Sequence, residues 1–344
     1  MGSKRITMQD IANACGLSRN TVSKAFNERG SVPQVTKDFI FQKARELGYG
    51  APAAQSFQSS KEGSATIALF TCNLPVNYHF GTYFITSFTD CISRAGYTLK
   101  LFEISEEELR QKRLPTHFVP SQIAGIVGIE LFDRAYLNVI CDLNLPTILI
   151  DTPAQAYEHL MRCDYLMMEN ISSTTALVRH LYDRGARRIG FLGDTQHCGS
   201  FYERWAGFHI GMRTLGLTPD ESICVLDNDD SPYSDIGWMT ERLSRIPALP
   251  QAFVCANDYL AVYLMSALKR MGKRIPEDVM VTGFDGSAQS TLIEPALTTV
   301  QIPGAEIGRT SAELLISRIQ NPAIPYSWTH IKTTPVFRGS TKAE

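Results

Sequence analysis

The chain has 344 residues, 44% of them hydrophobic and 20% charged, values close to the soluble average that exclude wholesale disorder, collagen and a disulfide-stapled miniprotein. At about 150 residues per domain the length predicts two or three domains. The net charge of -2 is unevenly divided: residues 1–50 carry eight basic against four acidic side chains, which leaves the remainder at -6. A basic unit ahead of an acidic body points to a polyanionic partner for the first part alone.

No apolar stretch approaches the roughly 18 residues of a membrane helix, and the first residues lack a signal-peptide core. The expected location is therefore the cytoplasm, with no membrane contact. The eight cysteines include no C-x-x-C pair, which fits buried thiols in a reducing compartment better than zinc or disulfides. Neither a metal nor a cofactor is expected.

In chain order, Thr7 caps a first helix that passes through Ile11 and Ala12 and stops near Gly16. Ser18 caps a second, with Val22, Ala25 and Phe26 on one face, and Gly30 breaks it. A third begins near Pro33 and carries Ile40, Ala44 and Leu47 in one stripe until Gly48. This is helix-turn-helix arithmetic. Residues 50–64 are rich in Ala, Ser, Gln and Gly and read as a linker.

Beyond the linker, strand-like runs alternate with helical patterns. The runs are ATIALF (65–70), YTLKLFEI, GIVGI (125–129), PTILID (146–151), RIGFLG (188–193), ICVLD, AFVCA (252–256) and VMVTGFD (279–285). Short buried runs separated by helices predict βαβ units and parallel sheets, and 65–340 is long enough for two.

The phrase ITMQDIANACGLSRNTVSKAFN (6–27) carries the strongest signal. A recognition helix presents its first turns to base edges. Here Arg19 can fork onto guanine, Asn20 onto adenine, and Lys24 can reach guanine or phosphate. Ser18, Thr21 and Ser23 suit phosphate oxygens, and Thr7 and Asn27 complete the set assigned to DNA.

Continued through VPQVTKDFIFQKARELGY (32–49), this phrase resembles the DNA-binding headpiece of the lactose-repressor (LacI/GalR) family. Further matches follow in order: NYHFGTYFITSFTDCISRAGYTL (77–99), GARRIGFLGDTQHCGSFYERWAGF (185–208), FVCANDYLAVYLMSALKRMGKRIPEDVMVTGFD (253–285) and LTTVQIPGAEIG (297–308). The resemblance implies a three-helix helix-turn-helix headpiece (1–49), a hinge (50–64) and a periplasmic-binding-protein-like α/β core (65–344) of two parallel-sheet subdomains. The first subdomain is expected at about 65–164 and 299–327, the second at about 165–298 and 328–340. The hinge departs from the family pattern: its usual Arg is absent and Gln58 stands at the usual Leu position. Phe57 is the large apolar side chain available to wedge into a minor groove; a flexible tether with Phe57 packed on the core is the competing reading.

Ligand chemistry gathers at the ends of parallel strands, where Asp151, Asn257, Asp258 and Asp285 fall. By resemblance, Arg204, Asn257, Asp285 and Asp151 match effector-contacting positions, and Asn77 and Phe80 match the first loop's contact region. Such a set suits a polyhydroxyl compound. Asp258 reads better as a helix N-cap, and Tyr83, Trp205, Tyr233 and Trp238 as core aromatics. Catalysis finds little support: there is no G-x-S-x-G elbow and no phosphate loop, and His197 beside Cys198 is adjacency without geometry. The expectation is a non-enzymatic, homodimeric transcription regulator, a repressor, that binds double-stranded operator DNA and is switched by a small carbohydrate effector. A sugar-binding protein with no transcriptional role and a sugar-modifying enzyme are the rivals.

Overall fold

The computed structural model describes residues 7–19, 21, 22, 36, 40, 43, 65–72, 81–157 and 161–341. The chain divides into two compact units, Met1–Gly63 and Ser64–Glu344. In the first, α1 (Met8–Cys15) buries Ile11 and Ala12, which cluster with Val22 and Ile40. Val22 and Ile40, one residue from each of the stripes expected for the second and third helices, thus belong to this small core, while Ala25, Phe26, Ala44 and Leu47 lie outside the described residues.

The second unit opens with β1 (Ala65–Thr71), α2 (Gly81–Arg94), β2 (Tyr97–Glu103), α3 (Glu106–Gln111), β3 (Ile123–Ile129), α4 (Arg134–Cys141), β4 (Thr147–Ile150) and β5 (Asp164–Met168). These strands join the later β10 (Trp328–Ile331) in a six-stranded parallel sheet of order β10-β5-β4-β3-β1-β2. Buried side chains form separate clusters, one around Ile67, Phe84 and Val127, the other around Phe70, Ile126 and Tyr136, as a parallel sheet covered on two faces requires.

The chain then enters a second lobe through α5 (Ile171–Asp183), β6 (Ile189–Leu192), α6 (Gly199–Thr214), α7 (Ile236–Ser244), β7 (Ala252–Cys255), α8 (Asp258–Arg270), β8 (Met280–Thr282) and α9 (Gln289–Leu292). Its sheet is three parallel strands, β6-β7-β8, around a core that includes Phe191, Phe208 and Phe253. β9 (Thr299–Gln301) leads back to α10 (Gly304–Gln320), which packs on α2, and β11 (Thr334–Val336) pairs antiparallel with β9. Among the described residues no helix is long and apolar enough to cross a membrane.

The expected subdomain boundaries need correction. β5 pairs with β4 (Ile148↔Asp164) and β10 with β5 (Trp328↔Tyr165), so residues 165–168 and 328–331 belong to the first lobe. Residues 299–301 instead run along the second lobe, held by bridges Thr282↔Thr298 and Asp285↔Gln301. The expected strand ICVLD makes only the bridge Leu192↔Val225. The linker 50–64 lies outside the described residues.

Candidate functional site

The headpiece turn is built by local chemistry. The Thr7 side chain accepts from the Asp10 N–H, while the Asp10 carboxylate accepts the Thr7 backbone N–H at 2.8 Å and its hydroxyl at 2.7 Å, a reciprocal capping box. Gly16 ends the helix at φ 65°, where a side chain would be strained. Ser18 Oγ accepts the Thr21 N–H at 3.1 Å and so starts the next helix. Arg19 follows this cap, exposed, and Thr21 is half-buried. Asn20, Ser23, Lys24, Asn27 and Phe57 lie outside the described residues.

In the second unit a cavity of about 630 Å³ opens between the lobes. Arg204, Asn257, Asp285 and Asp151 all line it; Asn77 and Phe80 lie outside the described residues. Glu130, Asp151 and Asp285 stand at the carboxyl ends of β3, β4 and beyond β8 with φ of 51°, 66° and 118°. Non-glycine residues adopt that region at a cost and persist there where surrounding structure imposes it, commonly at functional sites.

Arg204 lies almost wholly buried on α6. Its Nε donates to Asn170 Oδ1 at 2.9 Å, its Nη1 donates to the Ala256 carbonyl at 2.6 Å and stands 3.5 Å from Asp285 Oδ1. The guanidinium lies over the Phe284 ring at 3.8 Å. Four contacts thus fix the direction of Arg204, the one arginine among the described lining residues.

Asp151 has a second task. Its Oδ1 accepts the Ser200 N–H at 3.0 Å, and the Thr152 carbonyl accepts the Gly199 N–H at 2.6 Å, so the first lobe caps α6 of the second. Burial raises the Asp151 pKa against the hydrogen bonds from Thr152 and Ser200. Asn257, not Asp258, is the N-cap of α8, its Oδ1 accepting the Leu260 N–H at 2.9 Å. Asp258 is buried and accepts from Thr299 Oγ1 at 2.5 Å and Ser287 N at 2.7 Å. The N-cap expected for Asp258 therefore belongs one residue earlier.

Sequence reasoning missed much of the wall: Glu130, Phe132, Asp133, Phe201, Asp229 and Tyr259. Glu130, Phe132, Asp133 and Asp229 lie in loops, and Phe201 and Tyr259 in the first turns of α6 and α8. His197 also lines the cavity and pairs with Asp229, not with Cys198. Burial would lower the His197 pKa, but the hydrogen bond and charge of Asp229 raise it above the usual value. Burial pushes the Cys198 thiol well up, which disfavours a thiolate there. Tyr233 lines the cavity with its hydroxyl donated to the Asp227 carbonyl. Tyr83, expected in the core, is 72% exposed. Among the described residues no cluster of His, Cys, Asp and Glu could hold a metal ion.

Comparison with known proteins gives matches along nearly the whole chain. The profile of bacterial regulatory proteins of the lacI family matches residues 7–51, and that of a periplasmic binding protein-like domain matches 178–341. The transcriptional repressor CytR of Escherichia coli (strain K12) is 25% identical over 340 residues, 98% of this chain and 96% of that protein. The regulator CelR of Thermobifida fusca is 25% identical over 319 residues, 92% of each chain. Among solved structures, a CelR–cellobiose complex superposes with TM-score 0.70 at 23% identity, over 98% of this chain and 100% of that one. The lac repressor dimer bound to operator and the anti-inducer ONPF gives 0.69 at 23%, over 99% and 100%. At such identities the superpositions speak for the fold alone.

Proposed function

We propose that the chain is a member of the lacI family of bacterial regulatory proteins, whose profile matches residues 7–51, and that it is a cytoplasmic, homodimeric repressor of transcription whose operator affinity is set by a small effector held between the lobes. The observation that carries this reading is the presence in one chain of a capped helix-turn-helix and a polar cavity at strand ends. A solute-binding protein would have no use for the former. A sugar-modifying enzyme would need an activated group, whereas His197 pairs with Asp229 and burial raises the thiols of both lining cysteines, Cys72 and Cys198.

Cavity charge narrows the effector. Glu130, Asp133, Asp151, Asp229 and Asp285 face Arg204 and His197. An anionic ligand would compete with Asp285 for the Arg204 guanidinium while meeting the other carboxylates. Uncharged hydroxyls instead find acceptors in these oxygens, with Phe132, Phe201 and Tyr259 for a C–H face. The effector is therefore an uncharged polyhydroxyl compound, a sugar or sugar derivative, of the kind the CelR–cellobiose complex holds.

The test takes operator fragments that the protein selects from random DNA, then measures affinity with mono- and disaccharides, nucleosides and the phosphates of each. An uncharged compound should change operator affinity roughly 5- to 150-fold, the span of 1 to 3 kcal/mol of coupling, and its phosphate should not. Arg204→Ala and Asp285→Ala should lose the response and keep operator binding. Failure to enrich any DNA sequence would remove the regulator reading. A responding ligand that binds both variants as tightly as the parent would remove the site.

A further inference from the structure

From Arg204 a line of hydrogen bonds runs to the protein surface through three side chains on three different elements. Asn170, fully buried where the chain crosses from β5 to α5, accepts from Arg204 Nε through Oδ1 at 2.9 Å. Its Nδ2 donates to the Met168 carbonyl at 2.8 Å and to Glu203 Oε2 at 2.7 Å. Glu203, 2% exposed on α6, faces His330 Nε2 through Oε1 at 3.0 Å. His330 stands on β10, the edge strand of the other lobe, with 38% of its side chain exposed.

The Asn170 amide can sit in only one orientation. Reversed, it would set its oxygen against the Met168 carbonyl and the Glu203 carboxylate, and its N–H groups against the Arg204 N–H. Like poles at a buried site cost far more than one hydrogen bond gains. Glu203 and the Met168 carbonyl together select the amide orientation, and the amide is one of the four contacts that set the direction of Arg204. His330 sits where it can hold or release the Glu203 oxygen that Asn170 does not use.

We propose that His330, acting through Glu203 and Asn170, is a positioning residue for Arg204, so that the charge on a surface imidazole is felt at the guanidinium in the cavity. The functional consequence, an effector affinity that follows this charge, rests on the reading of the cavity as the effector site. The network also ties α6 of one lobe to the edge strand of the other, so any change in lobe closure must strain or relax it.

Charged groups among the described residues face this line at both ends. Glu203 from α6 and Glu169 from the crossover face His330, and Glu169 already accepts from the Ser172 and Ser173 N–H groups at 2.6 and 3.2 Å. At the far end Asp285 and Asp151 act on Arg204. The hydrogen bond from Glu203 raises the His330 pKa above its usual value.

The test uses the full chain without ligand, labelled with 15N at arginine and histidine. The His330 ring nitrogens and the Arg204 Nε–H resonance are followed by NMR from pH 5.5 to 9. The Arg204 signal should move with the midpoint of His330, and this movement should vanish in His330→Gln, an exposed substitution that leaves the fold intact. Glu203→Gln should bring the His330 midpoint down toward about 6.5 and uncouple Arg204 from it. An Arg204 signal that ignores pH across the His330 titration, or keeps its response in His330→Gln, overturns the proposal. Because no ligand enters the measurement, a wrong assignment of the cavity leaves its result standing, and loss of the coupling leaves the cavity assignment untouched.

Discussion

A buried carboxyl near the cavity gives the molecule a pH dependence whose sign follows from its surroundings. Asp258 accepts hydrogen bonds from Thr299 and Ser287, yet burial first and the charge of Asp285 second push its pKa up to about 7. In the unfolded chain an aspartate releases its proton near pH 3.9, about the model-peptide value. Between those values the folded protein holds a proton that the unfolded chain has lost, so stability falls as pH rises toward 7 and then levels. His197 and His330, both raised, act in the same direction: their contribution is complete below the unfolded histidine value and is lost as pH climbs through the folded one. Urea midpoints at pH 5 and pH 8 should show a drop, and Asp258→Asn should shrink it by removing the carboxyl's share. An equal drop in both proteins would mean that Asp258 is ionised throughout. The neighbouring residue shows what single-residue reasoning can resolve. Asn257 and Asp258 are both good capping residues, and only their backbone geometry decides that Asn257 caps while Asp258 turns inward to the β9 threonine.

At the level of elements, α6 depends on the opposite lobe. Its N-cap Cys198 makes no side-chain cap, and the orphan N–H groups of Gly199 and Ser200 find Thr152 and Asp151 instead. A Cβ built at Gly199 would come within 2.0 Å of Thr152 Oγ1. Gly199→Ala should therefore force the lobes to shift at this seam, at about 1 to 3 kcal/mol, the usual cost of overpacking. The urea midpoint and the affinity for the effector should fall together; a variant with parental values for both would show that the seam yields freely. This dependence could not be read from the sequence, because the acceptors lie in a loop that the helix meets only after folding. The long apolar runs were legible: β1, β3, β4, β6, β7 and β8 fall where ATIALF, GIVGI, PTILID, RIGFLG, AFVCA and VMVTGFD predict them. β5 was missed because DYLMM is too short for periodicity to separate strand from helix. β10 was missed because an edge strand such as WTHI, half-exposed and paired on one side, carries no alternation to detect. ICVLD misled because burial alone made it apolar. The candidate site was legible where strands end, at Asp151, Asn257 and Asp285. Phe132, Asp229 and Tyr259 come from loops and a helix start whose approach depends on how the lobes face each other.

For the whole molecule the question is how a ligand between two lobes can be felt at DNA. A ligand moves an equilibrium only by its different affinity for the two states. Arg204 and Asp285 contribute from one lobe, Glu130 and Asp151 from the other, so closure changes every one of these contacts at once. A single helix-turn-helix offers only a few base contacts, and members of this class reach operator affinity by placing two of them about one helical turn, ~34–36 Å, apart. In the proposed dimer, lobe closure would have to reach the DNA as a change in that spacing. It follows that each headpiece substitution counts twice on a two-fold operator. Arg19→Ala, at the exposed start of the second helix, should cost about 1 to 3 kcal/mol for one half-site and close to twice that on the full operator. Preference should relax at one base pair in each half, and mixed dimers of parent and variant should bind with intermediate affinity. Anisotropy titrations on operators with one or both half-sites altered measure these quantities directly. A chain that sediments as a monomer at micromolar concentration and still binds its operator undiminished would overturn the paired arrangement. Equal weakening of Arg19→Ala on operator and random DNA would assign this side chain to the phosphate backbone instead of the bases.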